Sequence, residues 1–330
     1  MPNQEFSNDI LEIDLEKEVE KITKQIRSIL TKTLKRRGLI VALSGGIDSS
    51  TCCALAVKAL GPERVFALLM PERHSSDDTL DLSTLVADAF KVDRSYENIS
   101  GILEALGFYE KYDDAVRQAI PQYGIGWKSK IVIPNAIEKK GFNLFSVVAQ
   151  SPEGDIVKER LPLKAYLEIV AATNFKQRTR KMLEYYHADR LNFAVTGTPN
   201  RLEYDQGFFV KLGDGAADIK PIAHLYKTQV YKMAEYLGVP KEICSRAPTT
   251  DTYSMPQGQD EFYFSLPYDK MDLCLYGKNN NYTPEQVAPA IELSADQVKR
   301  VYDDIETKRT TTRYLHLPAQ LIESVPEVNE

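Results

Sequence analysis

The chain alternates between stretches with helical spacing of apolar residues and short, continuous apolar runs. Between Leu15 and Leu34, apolar residues recur every three or four positions with Lys, Glu and Arg between them, which predicts an amphipathic helix. The runs 39–43 and 65–70 predict buried strands, and helical spacing returns at residues 75–90. Strand, helix and strand within about thirty residues are typical of a right-handed parallel crossover. We therefore expect an α/β fold with a mostly parallel sheet.

The periodic pattern stops between residues 98 and 164, where Gly, Pro and aromatic residues are scattered. We interpret this stretch as an irregular insertion within a single domain of residues 14–330, which follows a loose lead-in of residues 1–13. Inside the insertion, the runs 144–149 and 155–157 are joined by Ser-Pro-Glu-Gly, and this arrangement predicts a hairpin.

The stretch that indicates chemistry most directly is 44–51, which follows the first predicted strand and opens the next helix. Its glycines let the backbone approach phosphate oxygens, and the helix start directs N–H groups and a positive dipole end at them. Asp48 would repel phosphate unless a cation lies between them, so the turn predicts a metal–nucleotide complex. The candidate phosphate-binding residues are Ser44, Gly45, Gly46, Ile47, Asp48, Ser49, Ser50 and Thr51.

Charged residues and glycines also follow a later predicted strand, residues 192–197. Glu203 comes just beyond the end of that strand, where its carboxylate could bind a second Mg²⁺. The next loop, residues 208–221, is dense in charge and glycine, which favours contact with a ligand over packing in a core. Lys227 opens the following helix, and from its position alone we expect a solvated surface charge.

Composition excludes several classes of function. The formal net charge is −6, the sequence pI is about 5.5 and no arginine- or lysine-rich face stands out, so nucleic acid is not an expected partner. No apolar run approaches the length of a membrane span, and the four cysteines have no Cys-x-x-Cys spacing. We expect a cytoplasmic protein. Its one tryptophan, Trp127, is expected to pack the insertion against the body, with contact to a ligand as the alternative.

The motif Ser-Gly-Gly-x-Asp-Ser directly after a strand resembles the pyrophosphate loop of the ATP pyrophosphatases, which split ATP between its α and β phosphates. With its later blocks, the chain resembles the ammonia-dependent NAD synthetase family from about residue 20 to 310, apart from the insertion. Those blocks are Asn174-Phe-Lys-Gln-Arg-Thr-Arg180, Gly197-Thr198, Gly207-Phe-Phe-Val-Lys-Leu-Gly-Asp-Gly-Ala-Ala-Asp218, Leu225-Tyr-Lys227, Pro248-Thr-Thr-Asp251, Gln259-Asp-Glu261, Tyr268-Asp-Lys-Met-Asp272 and Lys308-Arg309.

This resemblance implies a Rossmann-like parallel sheet with helices on both faces, of the adenine nucleotide alpha hydrolase type. It implies that residues 44–51 hold the ATP phosphates, and that Asp48, Glu203 and Lys227 are catalytic, the two carboxylates by binding Mg²⁺. Lys227 would neutralise charge on the departing pyrophosphate. Further ATP contacts would be Thr198, Lys227 and Thr249, and dinucleotide contacts would be Arg180, Lys211, Asp218 and Lys308. The family also implies a homodimer whose two-fold interface holds the dinucleotide.

The implied reaction is amidation of deamido-NAD by ammonia through an acyl-adenylate. The chain departs from the family pattern at Val210, at Thr307 and in the connection 262–267, all on the side of the acceptor. An ATP-dependent amide ligase that acts on another carboxylate, a sugar acid or a natural-product intermediate, is therefore an alternative. A non-catalytic nucleotide-binding protein is a third. No cysteine lies in a glutaminase context, so ammonia would be free or delivered by a separate glutaminase.

Overall fold

A parallel sheet and a separate antiparallel sheet organise the chain. The computed structural model describes residues 5–75, 78–132, 145–247, 252–255, 257–258, 263–264 and 266–328. The strands of these residues, in chain order, are β1 (Leu39–Ala42), β2 (Val65–Leu69), β3 (Asp93–Tyr96), β4 (Lys128–Val132), β5 (Ser146–Gln150), β6 (Ile156–Arg160) and β7 (Ala194–Val195).

Helices fill most of the rest of the described chain. In order they are α1 (Leu15–Ser28), α2 (Ile47–Leu60), α3 (Thr79–Ala89), α4 (Ser100–Ala105), α5 (Phe108–Arg117), α6 (Leu163–Leu191), α7 (Arg201–Gln206), α8 (Lys227–Tyr236), α9 (Lys241–Cys244), α10 (Tyr268–Asn279), α11 (Pro284–Val287) and α12 (Ala295–His316). Within the described residues, no helix has the length and apolar character needed to cross a membrane.

The predicted α/β architecture is confirmed. The first sheet has the strand order β3-β2-β1-β7, and every neighbouring pair is parallel. Successive residues of a strand point to opposite faces of its sheet. In β1, Leu39 and Val41 accordingly pack with α1, α2 and α8, whereas Ile40 packs with α5 and α6. Helices therefore cover both faces, as a Rossmann-like sheet requires.

A third hydrophobic cluster joins α10, α11 and α12 and also receives the N-terminal segment. Leu11 is buried in it, the ring of Phe6 lies 5.0 Å from that of Tyr282, and the side-chain amide of Gln229 donates to the Leu11 carbonyl. The described part of residues 1–13 is thus packed against the body, which differs from the loose lead-in that we expected.

The stretch 98–164 is more regular than its sequence suggested. It contains α4 and α5, whose apolar faces join the core beneath α6, and the antiparallel sheet β4-β5-β6. The predicted hairpin is present as β5 and β6, which pair antiparallel, although its first predicted residue, Leu144, lies outside the described part of the chain. Whether this stretch is an insertion stays a prediction.

Candidate active site

The turn between β1 and α2 places its polar groups at the carboxyl end of the parallel sheet. Gly45 has φ +72°, and a Cβ atom there would lie 2.7 Å from the Cβ atom of Leu82, so this position requires glycine. The hydroxyls of Ser44 and Ser49 are 3.2 Å apart and bridge the two ends of the turn. Gly46 caps α2, and the first turn of that helix faces a cleft.

Ser50 and Thr51 do not share this orientation. The Ser50 hydroxyl donates to the Gly46 carbonyl at 2.8 Å, and the Thr51 hydroxyl donates to the Ile47 carbonyl at 2.7 Å. Both residues have no exposed surface. Their hydroxyls therefore bond to the preceding helical turn. This arrangement corrects the expectation that these two side chains contact phosphate.

Asp48 lies between two donors that come from distant parts of the chain. Its Oδ1 accepts a hydrogen bond from Nδ2 of Asn200 at 3.0 Å, and its Oδ2 lies 2.5 Å from Nζ of Lys227. The Lys227 side chain is only 2% exposed, whereas that of Asp48 is 18% exposed and lines the cleft. Lys227 is thus a buried cation beside the phosphate turn, and the expectation of a solvated surface charge was wrong.

The environment of Lys227 keeps it charged. Burial by itself would lower the pKa of Lys227, but the negative charges of Asp48 and Glu203 outweigh that effect and raise the pKa. The start of α8 is fixed by Asp272, whose carboxylate accepts from the backbone N–H groups of Lys227 at 3.2 Å and of Thr228 at 2.7 Å. Burial raises the pKa of Asp272 to about 7, against these hydrogen bonds.

Glu203 reaches this group through a capping box at the start of α7. Its Oε2 accepts from the backbone N–H of Asn200 at 3.2 Å, and the Asn200 Oδ1 accepts from the backbone N–H of Glu203 at 3.3 Å. The same Asn200 side chain donates to Asp48. Sequence reasoning missed Asn200, although Asn-x-x-Glu after a strand is a capping-box signal.

The two carboxylates fit the predicted Mg²⁺. Carboxylate oxygen is a ligand type that Mg²⁺ prefers, and the Lys227 ammonium shows that Asp48 accepts a cation. No three His, Cys, Asp or Glu side chains of the described chain are grouped so that they could hold a metal ion. Because Mg²⁺ usually binds one or two carboxylates together with substrate phosphates and water, Asp48 and Glu203 suit a metal–nucleotide complex.

A cleft of about 1060 Å³ opens at the carboxyl ends of β1, β2 and β7. It brings together Thr198, Arg180 and the turn 44–49 with Lys227. The charged residues Lys181, Glu184 and Asp214, to which the sequence analysis gave no role, also line it. Lys181 Nζ lies 2.7 Å from a carboxylate oxygen of Glu184, and burial raises the pKa of both Glu184 and Asp214.

Three predicted acceptor contacts do not line this cleft. Nζ of Lys211 donates to the carbonyls of Tyr314 and Leu317, beyond the cleft at the end of α12. Oδ2 of Asp218 accepts from the backbone N–H of Val195 at 2.7 Å. Lys308 pairs with Asp304 at 2.6 Å and donates to the carbonyl of Tyr263. These three residues therefore do not share the cleft with Arg180. Thr249 and the connection 262–267, apart from residues 263, 264, 266 and 267, lie outside the described residues.

Comparison with known proteins identifies the family. The model of the NAD synthase family matches residues 18–121 and 129–313. The NH(3)-dependent NAD(+) synthetase of Rhizobium meliloti (strain 1021) is 58% identical over 323 residues, which cover 98% of this chain and 96% of that protein. The chain belongs to the NAD synthase family. The NAD synthase resemblance inferred from the motifs is confirmed.

Solved structures confirm the NAD synthase fold. An NMN synthetase from Francisella tularensis has a TM-score of 0.64 and 22% identity, with 94% of this chain and 99% of that chain covered. An NH3-dependent NAD synthetase from Campylobacter jejuni has a TM-score of 0.62 and 21% identity, with coverage of 94% and 100%. The two structures carry different enzyme names, so the shared fold does not select the acceptor.

Proposed function

We propose that this protein is an ammonia-dependent NAD synthetase, a ligase that uses ATP and Mg²⁺ to amidate deamido-NAD. The observation that carries the proposal is the buried Lys227 ammonium beside Asp48 and the phosphate turn of α2. Three relatives at 53–58% identity over 93–98% of the chain are named NH(3)-dependent NAD(+) synthetases, which supports the same acceptor here. These relatives do not favour the alternative of another carboxylate.

Two steps make up the reaction. The acceptor carboxylate attacks the α-phosphorus of ATP, the bond between the α and β phosphates breaks, and pyrophosphate leaves. Ammonia then attacks the carbonyl carbon of the acyl-adenylate, and AMP departs while the nitrogen loses a proton. Neither step needs a protein nucleophile, so positioning and charge stabilisation supply the catalysis.

In this mechanism the residues of the cleft, together with Glu203 near Lys227, have distinct tasks. The first turn of α2 binds phosphate oxygens through N–H groups and its dipole, with the hydroxyls of Ser44 and Ser49 beside them. Lys227 neutralises negative charge that develops on the leaving pyrophosphate, because its raised pKa keeps it an ammonium. Asp48 and Glu203 would hold Mg²⁺, which supplies Lewis-acid polarisation of the phosphates.

We also propose that the enzyme is a homodimer that shares the acceptor site between subunits. The placement of Lys211, Asp218 and Lys308 outside the cleft supports a site that needs a second chain. The helix α6 supports it as well, because it carries a series of exposed apolar side chains: Leu163, Leu167, Met182 and Tyr186. A cytoplasmic location and delivery of ammonia by a separate glutaminase stay predictions.

Pyrophosphate release with ATP, Mg²⁺, an ammonium salt and deamido-NAD tests the proposal, with NAD and AMP followed in parallel. Turnover that requires deamido-NAD and produces NAD supports the function. ATP binding without any product from deamido-NAD would remove the acceptor assignment and leave the ATP site intact. The Asp48→Ala variant should abolish pyrophosphate release, and retained turnover would refute the role of that carboxylate.

A further inference from the structure

One wall of the cleft comes from a loop that the family model does not match. The NAD synthase model ends one match at residue 121 and resumes at 129. The unmatched residues 122–128 include Tyr123, Ile125 and Trp127, and all three line the cleft. The loop therefore adds aromatic and apolar surface to the cleft where the family model has no counterpart.

This loop is held firmly at both ends. At one end, Nε of Arg117 donates to the Tyr123 carbonyl at 2.9 Å. At the other end, the backbone N–H of Ser129 donates to the Ser254 hydroxyl at 2.9 Å, and the Met255 N–H donates to the Ser129 carbonyl at 3.2 Å. A short loop anchored in this way presents its side chains in a fixed position, which reduces the entropy lost when a ligand binds.

Trp127 has one packed side and one side toward the cleft. Its ring lies 5.9 Å from that of Tyr123, and it packs against the core cluster that includes α5 and α6. The residue is nevertheless only half-buried, and it lines the cleft. Arg180 projects from α6 into the same cleft. Trp127 thus has the expected packing role, and the rest of its side chain faces the cleft.

We infer that Trp127 stacks against a heteroaromatic ring of a nucleotide bound in the cleft. The inference rests on the proposed function, whose ligands carry such rings: the adenine of ATP, and the nicotinate and adenine of the acceptor. The flat indole ring stacks favourably on any nucleotide base, because every base has a π face. Ile125 stands at the same mouth with its side chain entirely in solvent, so a ring that entered there would also cover it.

Fluorescence tests this directly, because Trp127 is the only tryptophan in the chain. The wild-type protein is titrated with ATP and Mg²⁺ in one experiment and with deamido-NAD in another, while calorimetry records binding independently. A change in Trp127 emission with one ligand identifies the source of the stacked ring. Calorimetric binding of both ligands with unchanged emission would overturn the inference.

Kinetics of two substitutions provide a second readout. Trp127→Leu removes the flat ring and should raise KM for the stacked ligand about tenfold, with kcat unchanged. Trp127→Phe keeps an aromatic face and should restore most of the affinity. Phe145→Leu is the matched control, because Phe145 stacks on Tyr166 at 3.9 Å next to the same small sheet but does not line the cleft. An equal change of KM in all three variants would show that Trp127 acts only through packing.

The outcomes separate this inference from the proposed function. Wild-type turnover with no change of Trp127 emission would leave the NAD synthetase activity standing and overturn the stacking. ATP binding and quenching without turnover of deamido-NAD would support the stacking and overturn the acceptor. Failure of the wild type to bind either ligand would overturn both.

Discussion

The pair formed by Lys227 and Asp48 makes the sharpest prediction. The change is Lys227→Met, which keeps the length of the side chain and removes its charge. In the wild type the two charged atoms are 2.5 Å apart, and both residues line the cleft, with the Lys227 side chain 2% exposed and that of Asp48 18% exposed. Removal of one partner from a buried pair costs about 3–5 kcal/mol of stability. Because Asp48 keeps its hydrogen bond to Asn200 and can reach water, we expect the lower end, about 3 kcal/mol.

The catalytic effect should be larger than this stability loss explains. Without the Lys227 ammonium, no buried, preorganised positive charge faces the departing pyrophosphate. The loss of such a group lowers kcat about 10²- to 10³-fold. Activity is measured as pyrophosphate release, and stability is measured by urea unfolding on the same samples. The Asp48→Asn variant and the double variant complete a cycle. The double variant should lose less stability than the two single variants lose in sum, because it leaves no unpaired charge.

A second buried pair provides the control. Lys176 Nζ lies 2.6 Å from Oε1 of Glu72, with exposures of 2% and 0%, and neither side chain lines the cleft. Lys176→Met should therefore cost more stability than Lys227→Met, about 4–5 kcal/mol, while the folded fraction keeps a kcat close to wild-type. If Lys227→Met lost activity only in proportion to its unfolded fraction, as the control should, the catalytic role of Lys227 would be refuted.

Three further tests, two of them with a matched control variant, probe the site and its surroundings. Burial raises the pKa of Asp272 to about 7, so the folded chain keeps a proton that the unfolded chain releases near pH 4. The free energy of unfolding should therefore fall as the pH rises from about 4 to about 7. Asp272→Asn should flatten this dependence in urea unfolding, and parallel curves would contradict it. Gly45→Ala should weaken ATP binding in calorimetry through its steric clash, whereas Gly154→Ala, also at positive φ but with open space around it, should not. Ser49→Ala should raise KM for ATP, whereas Ser50→Ala should lower stability by about 1 kcal/mol and leave KM unchanged.

The sequence was most informative where the signal is local. The turn 44–49 was predictable because strand, glycines and helix start are consecutive, and Asp48 stood out as a carboxylate where phosphate was expected. The strand β3, with the sequence Asp-Arg-Ser-Tyr, gave no apolar signal because it lies at the edge of the sheet with most of its residues exposed. The Ser50 hydroxyl points back to the Gly46 carbonyl because it donates a hydrogen bond there, and the spacing of residues in the sequence does not reveal this bond.

Long-range pairings were beyond the reach of the sequence. Lys211 meets carbonyls that are more than a hundred positions later in the chain, and Asp48 and Lys227 are separated by 179 positions. Position alone made Lys227 a surface charge, and Lys211 was expected to contact the dinucleotide only through the resemblance to the family. Only the folded chain shows that the first is buried beside a carboxylate and the second is engaged at the end of α12.

The helix α6 has a consequence for how the enzyme responds to its own concentration. Its 29 residues make one continuous helix of about 44 Å. Lys181 and Glu184 line the cleft, while Met182 and Tyr186, within the same turns, are exposed apolar residues. If subunits associate through Met182 and Tyr186, the same helix also positions Lys181 and Glu184 in the cleft, so association and the geometry of the cleft would be coupled. In the homodimer that we propose, specific activity should fall on dilution, because the subunits would separate before any unfolding begins.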